Sequence, residues 1–149
     1  MAIRQISVFC ENRKGKLAQI TKILADAKID IRAFSIADTT DFGILRLIVN
    51  DPQKALDTLS EHDVVVSTTQ VIAVRISDQP GAMHNVLSLL DEHGVNVEYA
   101  YAFLTRKCSD AFVILRIDDV PGAVQTLQAA GVQIVEEFAT FGEDEVYSI

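Results

Sequence analysis

The residues best suited to chemistry lie in the stretch Glu11-Asn12-Arg13-Lys14-Gly15-Lys16-Leu17, between an alternating apolar run and a run with helical spacing; the pattern returns as Ser77-Asp78-Gln79-Pro80-Gly81-Ala82-Met83. A glycine between the end of a strand and the start of a helix exposes backbone N–H groups, which are natural partners for a carboxylate or a phosphate. Such a glycine also serves simply to make the turn, so the loop alone admits both readings. Neither copy has the GKS/T ending of a phosphate-binding loop, which leaves a small anion or an amino acid as the ligand class.

No other constellation competes. His84 and His93 are nine residues apart on one expected helix, two and a half turns and therefore opposite faces, so they cannot share a metal or a proton. No Ser/His/Asp or Cys/His order stands near a nucleophile turn, and the close acidic residues, such as Glu136-Glu137, read as exposed runs. A catalytic role, a metal and a cofactor are all unexpected. Cys10 and Cys108 make neither a disulfide framework nor a metal-binding CxxC, and are expected to be reduced thiols of a cytoplasmic protein. Cys108 sits in a turn beside Arg106 and Lys107, cations able to lower its pKa, but a lone loop thiol is usually incidental.

In the flanking elements, Ile6, Val8 and Cys10 alternate with Gln5, Ser7 and Phe9, the period-2 signature of a strand. Leu17, Ile20, Ile23, Leu24 and Ala27 then recur at three- and four-residue intervals and predict an amphipathic helix over roughly 15–28. A strand from Ile29 to about Ala37, a polar turn at Asp38–Asp41 and a strand over Ile44–Val49 follow. Asn50-Asp51-Pro52 supplies a cap and a first-turn proline for a short helix ending near His62, and Val64-Val65-Val66 makes a fourth strand. The order β-α-β-β-α-β then begins again.

An offset of 66 places Ile6, Val8 and Cys10 on Ile72, Val74 and Ile76, and Gly15 on Gly81. A four-residue insertion around Leu104–Lys107 is read as moving the offset to 70, matching Leu45-Arg46-Leu47 with Leu115-Arg116-Ile117. The second helix returns at 68, and Val132 to Thr140 is the closing strand. Ser67-Thr68-Thr69 joins two strands without a Pro- or Gly-rich linker, so the halves are expected to pack closely. The fold class is α+β, two ferredoxin-like βαββαβ repeats with helices on one face of antiparallel sheets, divided as 1–68 and 69–141 with a tail over 142–149.

Composition agrees with a soluble globular chain: 49% hydrophobic and 23% charged residues among 149. The net charge of −8 disfavours nucleic acid and anionic membrane as partners. The amino terminus shows no basic region followed by an apolar one, so no signal peptide is expected, and no apolar run approaches a membrane span.

The strand ending Ser7-Val8-Phe9-Cys10, the turn Glu11-Asn12-Arg13-Lys14-Gly15, the helix and the strand start Ile29-Asp30-Ile31 together resemble the ACT domain. Ser77-Asp78-Gln79-Pro80-Gly81 with Gly94-Val95-Asn96-Val97 is similar and keeps the family's proline, which Lys14 replaces in the first copy. The resemblance implies a regulatory protein that is not an enzyme and binds a free amino acid at the interface of two repeats paired side by side through their second strands. It further implies control of a metabolic enzyme or regulator, and it is compatible with a homodimer.

Carried onto this chain, the family's first site would combine Asn12, Lys14, Gly15, Lys16 and Leu17 with Asn96, Glu98, Tyr99, Ala100 and Tyr101. An amide donates and accepts, so the two asparagines can serve both ends of a zwitterion. Tyr99 and Tyr101 either wall this pocket or cover the helices, and Lys14 and Lys16 either attract a carboxylate or are solvated surface residues. A second, diverged site would combine Asp78, Gln79, Gly81, Ala82 and Met83 with Asp30, Ala33, Phe34, Ser35 and Ile36. Its two aspartates, Asp30 and Asp78, repel a free carboxylate. Two rivals remain: a ligand-independent regulatory subunit acting through exposed strand edges, and a ferredoxin-like enzyme, for which candidate residues are missing.

Overall fold

The computed structural model describes residues 2–38, 40–104 and 110–136, and these form two compact units, Arg4–Thr69 and a second that opens at Gln70. The turn around Cys108, the sequence from Glu137 to Thr140 and the tail lie outside the described residues.

In the first unit, β1 (Ile3–Glu11) leads to α1 (Lys16–Asp26), β2 (Ile31–Asp38), β3 (Phe42–Val49) and α2 (Pro52–Glu61). The order across its sheet is β2-β3-β1, with the start of β4 (Val66–Ser77) beyond β1. All these ladders that join β1, β2 and β3 are antiparallel. Residues opposite each other share a face, and Ile6 and Phe34 both oppose Leu47 while Val8 and Ile36 oppose Leu45. That face packs on the helices: Ile6, Val8, Cys10, Leu45 and Leu47 form one core with Ile20, Leu24 and Leu59. Cys10 is therefore a core residue, as the alternation predicts.

The second unit repeats the plan with α3 (Ala82–Glu92), β5 (Val97–Leu104), β6 (Asp110–Ile117), α4 (Val120–Ala129) and β7 (Gln133–Val135). The later part of β4 lies between β6 and β7, and β5 pairs with β6. Its core joins Ile72, Val74, Val113 and Leu115 to Val86, Leu90 and Leu127.

Two expectations need correction. The residue pattern predicts Val64–Val66 and the strand beginning the second repeat as separate strands, yet β4 runs unbroken from Val66 to Ser77. Ser67-Thr68-Thr69 is strand rather than a joint, because Thr is comfortable in extended backbone and nothing there forces a turn. The offset of 70 is also wrong. Ile6 opposes Leu47 and Ile72 opposes Leu115, so Leu47 corresponds to Leu115 and the offset is 68 from β6 through α4. A slip of two residues leaves every side chain on its own face, so alternation alone cannot detect it.

The ladders carry a bulge at the same place in both repeats, between Ile31 and Ala33 and between Val97 and Tyr99. The extra residues, Arg32 and Glu98, are each held by an ion pair, Arg32 to Asp30 at 3.1 Å and Glu98 to Arg116 at 3.4 Å. Just before each bulge a reciprocal clasp anchors the strand. Asp30 N donates to Asn50 Oδ1 at 3.0 Å while Asn50 N donates to Asp30 O at 3.1 Å; Asn96 N donates to Asp118 Oδ1 at 3.2 Å while Asp118 N donates to Asn96 O at 3.3 Å.

Leu24 and Leu90 are fully buried at corresponding positions of α1 and α3. Truncating either leaves a cavity that a close-packed core fills only in part. Leu24→Ala and Leu90→Ala are each expected to lower the unfolding free energy by about 2–5 kcal/mol, read from urea denaturation as a shifted midpoint with an unchanged slope.

Candidate functional site

The two glycine loops have one backbone. Arg13 N donates to Glu11 O at 2.9 Å, Lys16 N to Arg13 O at 3.3 Å and Gln19 N to Gly15 O at 3.0 Å. At an offset of 66, Gln79 N donates to Ser77 O at 2.9 Å, Ala82 N to Gln79 O at 3.2 Å and Asn85 N to Gly81 O at 3.0 Å. Gly15 (φ 84°) and Gly81 (φ 92°) are left-handed, a conformation in which a Cβ is disfavoured. The replacement of proline by Lys14 leaves this geometry unchanged.

The helices that follow these glycines begin without a side-chain cap, whereas Asp51 and Asp119 cap α2 and α4 by accepting from Lys54 N at 3.0 Å and Gly122 N at 3.1 Å. The first N–H groups of a helix have no intrahelical acceptor. Lys16 N and Ala82 N are already bonded within their loops, so at α1 and α3 the N–H groups just after them have no side-chain acceptor and are open to a bound anion, whereas α2 and α4 each have one such group taken by the capping aspartate.

Side chains distinguish the loops. Asn12 is exposed, its N donating to Asp41 O at 2.9 Å and its Nδ2 to Thr40 O at 3.4 Å, so its Oδ1 remains available. Glu11 and Arg13 pair at 2.9 Å, and Lys14 and Lys16 have no ion-pair partner among the described residues. The second loop offers Asp78 and Ala82 at the positions of Asn12 and Lys16.

In the first unit a small recess of about 80 Å³ is lined by Asn12, Lys16, Leu17, Ile36 and Gly43, and a larger groove of about 590 Å³ between α1 and β2 shares Leu17 and Ile36 with it. In the second unit the structure gathers Met83, Ala100 and Tyr101 beside Ile76 and Val113 around about 200 Å³. Leu17 thus lines one groove with Phe34 and Ile36, and Met83 lines one with Ala100 and Tyr101, within single repeats. A polar cleft of about 590 Å³ near Arg75, Ser77, Asn85 and Asp110 holds a part-buried ion pair, Arg75 to Asp110 at 2.6 Å.

Among the remaining site residues, Asp30 is engaged by Arg32 and Glu98 by Arg116, so neither is an uncompensated charge. Asn96, Asp78, Gln79 and Gly81 are exposed. Ala33 and Ser35 oppose Ile48 and Arg46, on the face away from α1 and α2. Tyr99 and Tyr101 oppose Arg116 and Ile114, whereas Val113, Leu115 and Ile117 pack toward α3 and α4. The tyrosines therefore do not cover the helices. Ala18, Thr21 and Ala25, which line the larger groove, were missed because small and polar residues read as the wet face. Their spacing of three and four residues beside Leu17 was the available signal.

Among the described residues no cluster of histidine, cysteine and acidic side chains could hold a metal, and no helix is long and apolar enough to cross a membrane.

The architecture defines a tandem of ferredoxin-like βαββαβ modules. A family model for the ACT domain pair matches residues 1–141, and the chain belongs to that family. Among solved structures it is similar to protein BT0572 from Bacteroides thetaiotaomicron, with 36% identity and a TM-score of 0.85 over 91% of this chain and 92% of that one. The ligand-free regulatory subunit of aspartate kinase from Thermus thermophilus shares the fold at 16% identity and a TM-score of 0.61, over 85% and 91% of the two chains. None of the curated proteins matches the sequence.

A Cβ built on Gly15 or Gly81 would meet nothing within 4 Å, so a substitution there is opposed by backbone strain alone. Gly15→Ala and Gly81→Ala are expected to destabilise by about 1–2 kcal/mol each, and Gly15→Asn by less, since asparagine tolerates this region. Thermal unfolding of the three variants checks the order.

Proposed function

We propose that this chain is a cytoplasmic regulatory protein, without catalysis of its own, that binds a free amino acid at the Glu11–Leu17 loop and thereby controls a metabolic enzyme. One observation carries the reading: in a member of the ACT domain pair family, α1 starts uncapped behind a left-handed Gly15, with Lys16 and the Asn12 amide on the same loop. The open N–H groups and the Lys16 ammonium suit the ligand's carboxylate. Asn12 Oδ1 suits its ammonium. The second loop has the same donors, but Asp78 and the missing lysine weaken its attraction for a carboxylate. Asn96 is the contributor that the family pattern adds from the other repeat.

Control follows from linkage. A ligand shifts a regulatory equilibrium only by its difference in affinity for two states, so the amino acid must bind one regulatory state more tightly than the other.

Isothermal titration of the full chain against the twenty amino acids tests the reading, with saturable heat expected for at least one. Lys16→Ala and Asn12→Ala are each expected to weaken that binding about tenfold or more, the worth of a charge-assisted hydrogen bond. Asp78→Ala should leave it unchanged, and Asn96→Ala reports whether the second repeat contributes. Absence of heat with every amino acid would leave a ligand-independent subunit as the better account.

A further inference from the structure

We infer that the amino acid recognised by the Glu11–Leu17 loop carries a large apolar side chain, which lies in the groove between α1 and β2 of the same repeat. The inference rests on the proposed amino-acid binding and adds the ligand's class to it. Leu17 and Ile36 line both the polar recess beside Asn12 and Lys16 and the apolar groove, so the two adjoin at these side chains. A ligand anchored by its head at the loop has its side chain directed along that shared wall. The outer edge of β2, which pairs with β3 alone among the described strands, offers further carbonyls for an ammonium.

The groove has the character such a side chain requires. Its floor includes Leu45 and Leu47, and its rim carries Leu17, Phe34 and Ile36 at 42%, 48% and 40% exposure. Its volume of about 590 Å³ lies within the usual range for small-molecule pockets, roughly 300–1,000 Å³. Polar side chains gain little here: Thr21 Oγ1 already donates to Leu17 O at 2.8 Å, and Lys22 is paired with Asp26 at 2.6 Å. A ligand with a charged side chain would leave that charge without a partner against apolar walls.

The other repeat shows the contrast. At the positions of Phe34 and Ile36 it has Ala100 and Ala102, and at that of Thr21 it has Leu87, packed against the core. Its groove is correspondingly small, about 200 Å³. Among the described residues, the large hydrophobic side chains left exposed, Phe34 and Ile36 among them, all fall within the first unit. Exposed apolar surface that is contiguous with polar anchors marks a binding surface more often than chance exposure does.

The test is titration of the full chain with leucine, isoleucine, phenylalanine and tyrosine against glycine, alanine, serine, aspartate and lysine. The large apolar group should bind at least tenfold tighter than alanine, the scale of added methylenes in an apolar pocket. Phe34→Ala, at an exposed position, and Ala18→Leu, which fills the groove, should each reduce that preference several-fold. Circular dichroism and the urea midpoint confirm that both remain folded. Binding of serine, aspartate or lysine with equal or greater affinity overturns the inference and leaves amino-acid recognition standing; no binding by any of the nine overturns the inference, and amino-acid recognition falls with it only if the other eleven also give no heat. A Phe34→Ala variant that binds as before but sediments as a smaller species would assign the groove to a second copy of the chain, and would also overturn it.

Discussion

Each repeat depends on one backbone reversal, the left-handed glycine at which the first strand ends and the first helix begins. At Gly15 and Gly81 the chain turns within a few residues, closed by three matching hydrogen bonds, and the helix starts from the glycine carbonyl. A residue with a Cβ would resist that conformation, and a conventional Ser, Thr or Asp cap would occupy the N–H groups the reversal leaves free. The same feature therefore aims the helix across its sheet and preserves donors at its end. Elsewhere the chain behaves conventionally, with Asp51 and Asp119 closing α2 and α4.

A second constraint lies at the opposite end of the helix face. The clasps of Asp30 with Asn50 and of Asn96 with Asp118 hold the start of β2 and β5 just before their bulges. A bulge adds twist and changes which residues share a face. After it, Phe34 and Ile36 face α1 while Ala33 and Ser35 face away. The groove beside the loop exists because the glycine sets the helix and the bulge sets the strand. Polar groups inside this frame are satisfied: buried Gln5 donates to Ser7 Oγ at 3.1 Å, and among the described residues no buried side-chain nitrogen or oxygen lacks a partner.

Much of the fold was legible because its signals are local. Alternation in Ile6, Val8 and Cys10, helical spacing from Leu17 to Ala27 and the proline after Asp51 each report on a few neighbouring residues. What alternation could not distinguish was a slip of two, so the true offset of 68 was read as 70. Continuity of β4 was hidden for a similar reason, since Ser67-Thr68-Thr69 is polar and resembles a connection. Gln5 followed the outward pattern of Ser7 and Phe9 but is buried, a consequence of packing that no single strand reports. The loop residues were recognisable from type and spacing. The groove was not, because it is assembled from α1, β2 and β3, and four of its eleven lining residues are alanine, threonine or lysine.

Because the backbone donors are the same in both loops, any selectivity between them must come from side chains. The differences fall on both parts a ligand would touch: Lys16 against Ala82 and Asn12 against Asp78 at the head, Phe34 and Ile36 against Ala100 and Ala102 along the groove. If the substitutions were drift on an unused surface, there would be no reason for polar attraction and apolar volume to decline together in one repeat. Fold recognition alone predicts two equivalent sites, since the family's backbone is present twice. On the proposed reading, these four pairs concentrate recognition in the first repeat, while the second keeps the same backbone with fewer groups to offer a ligand.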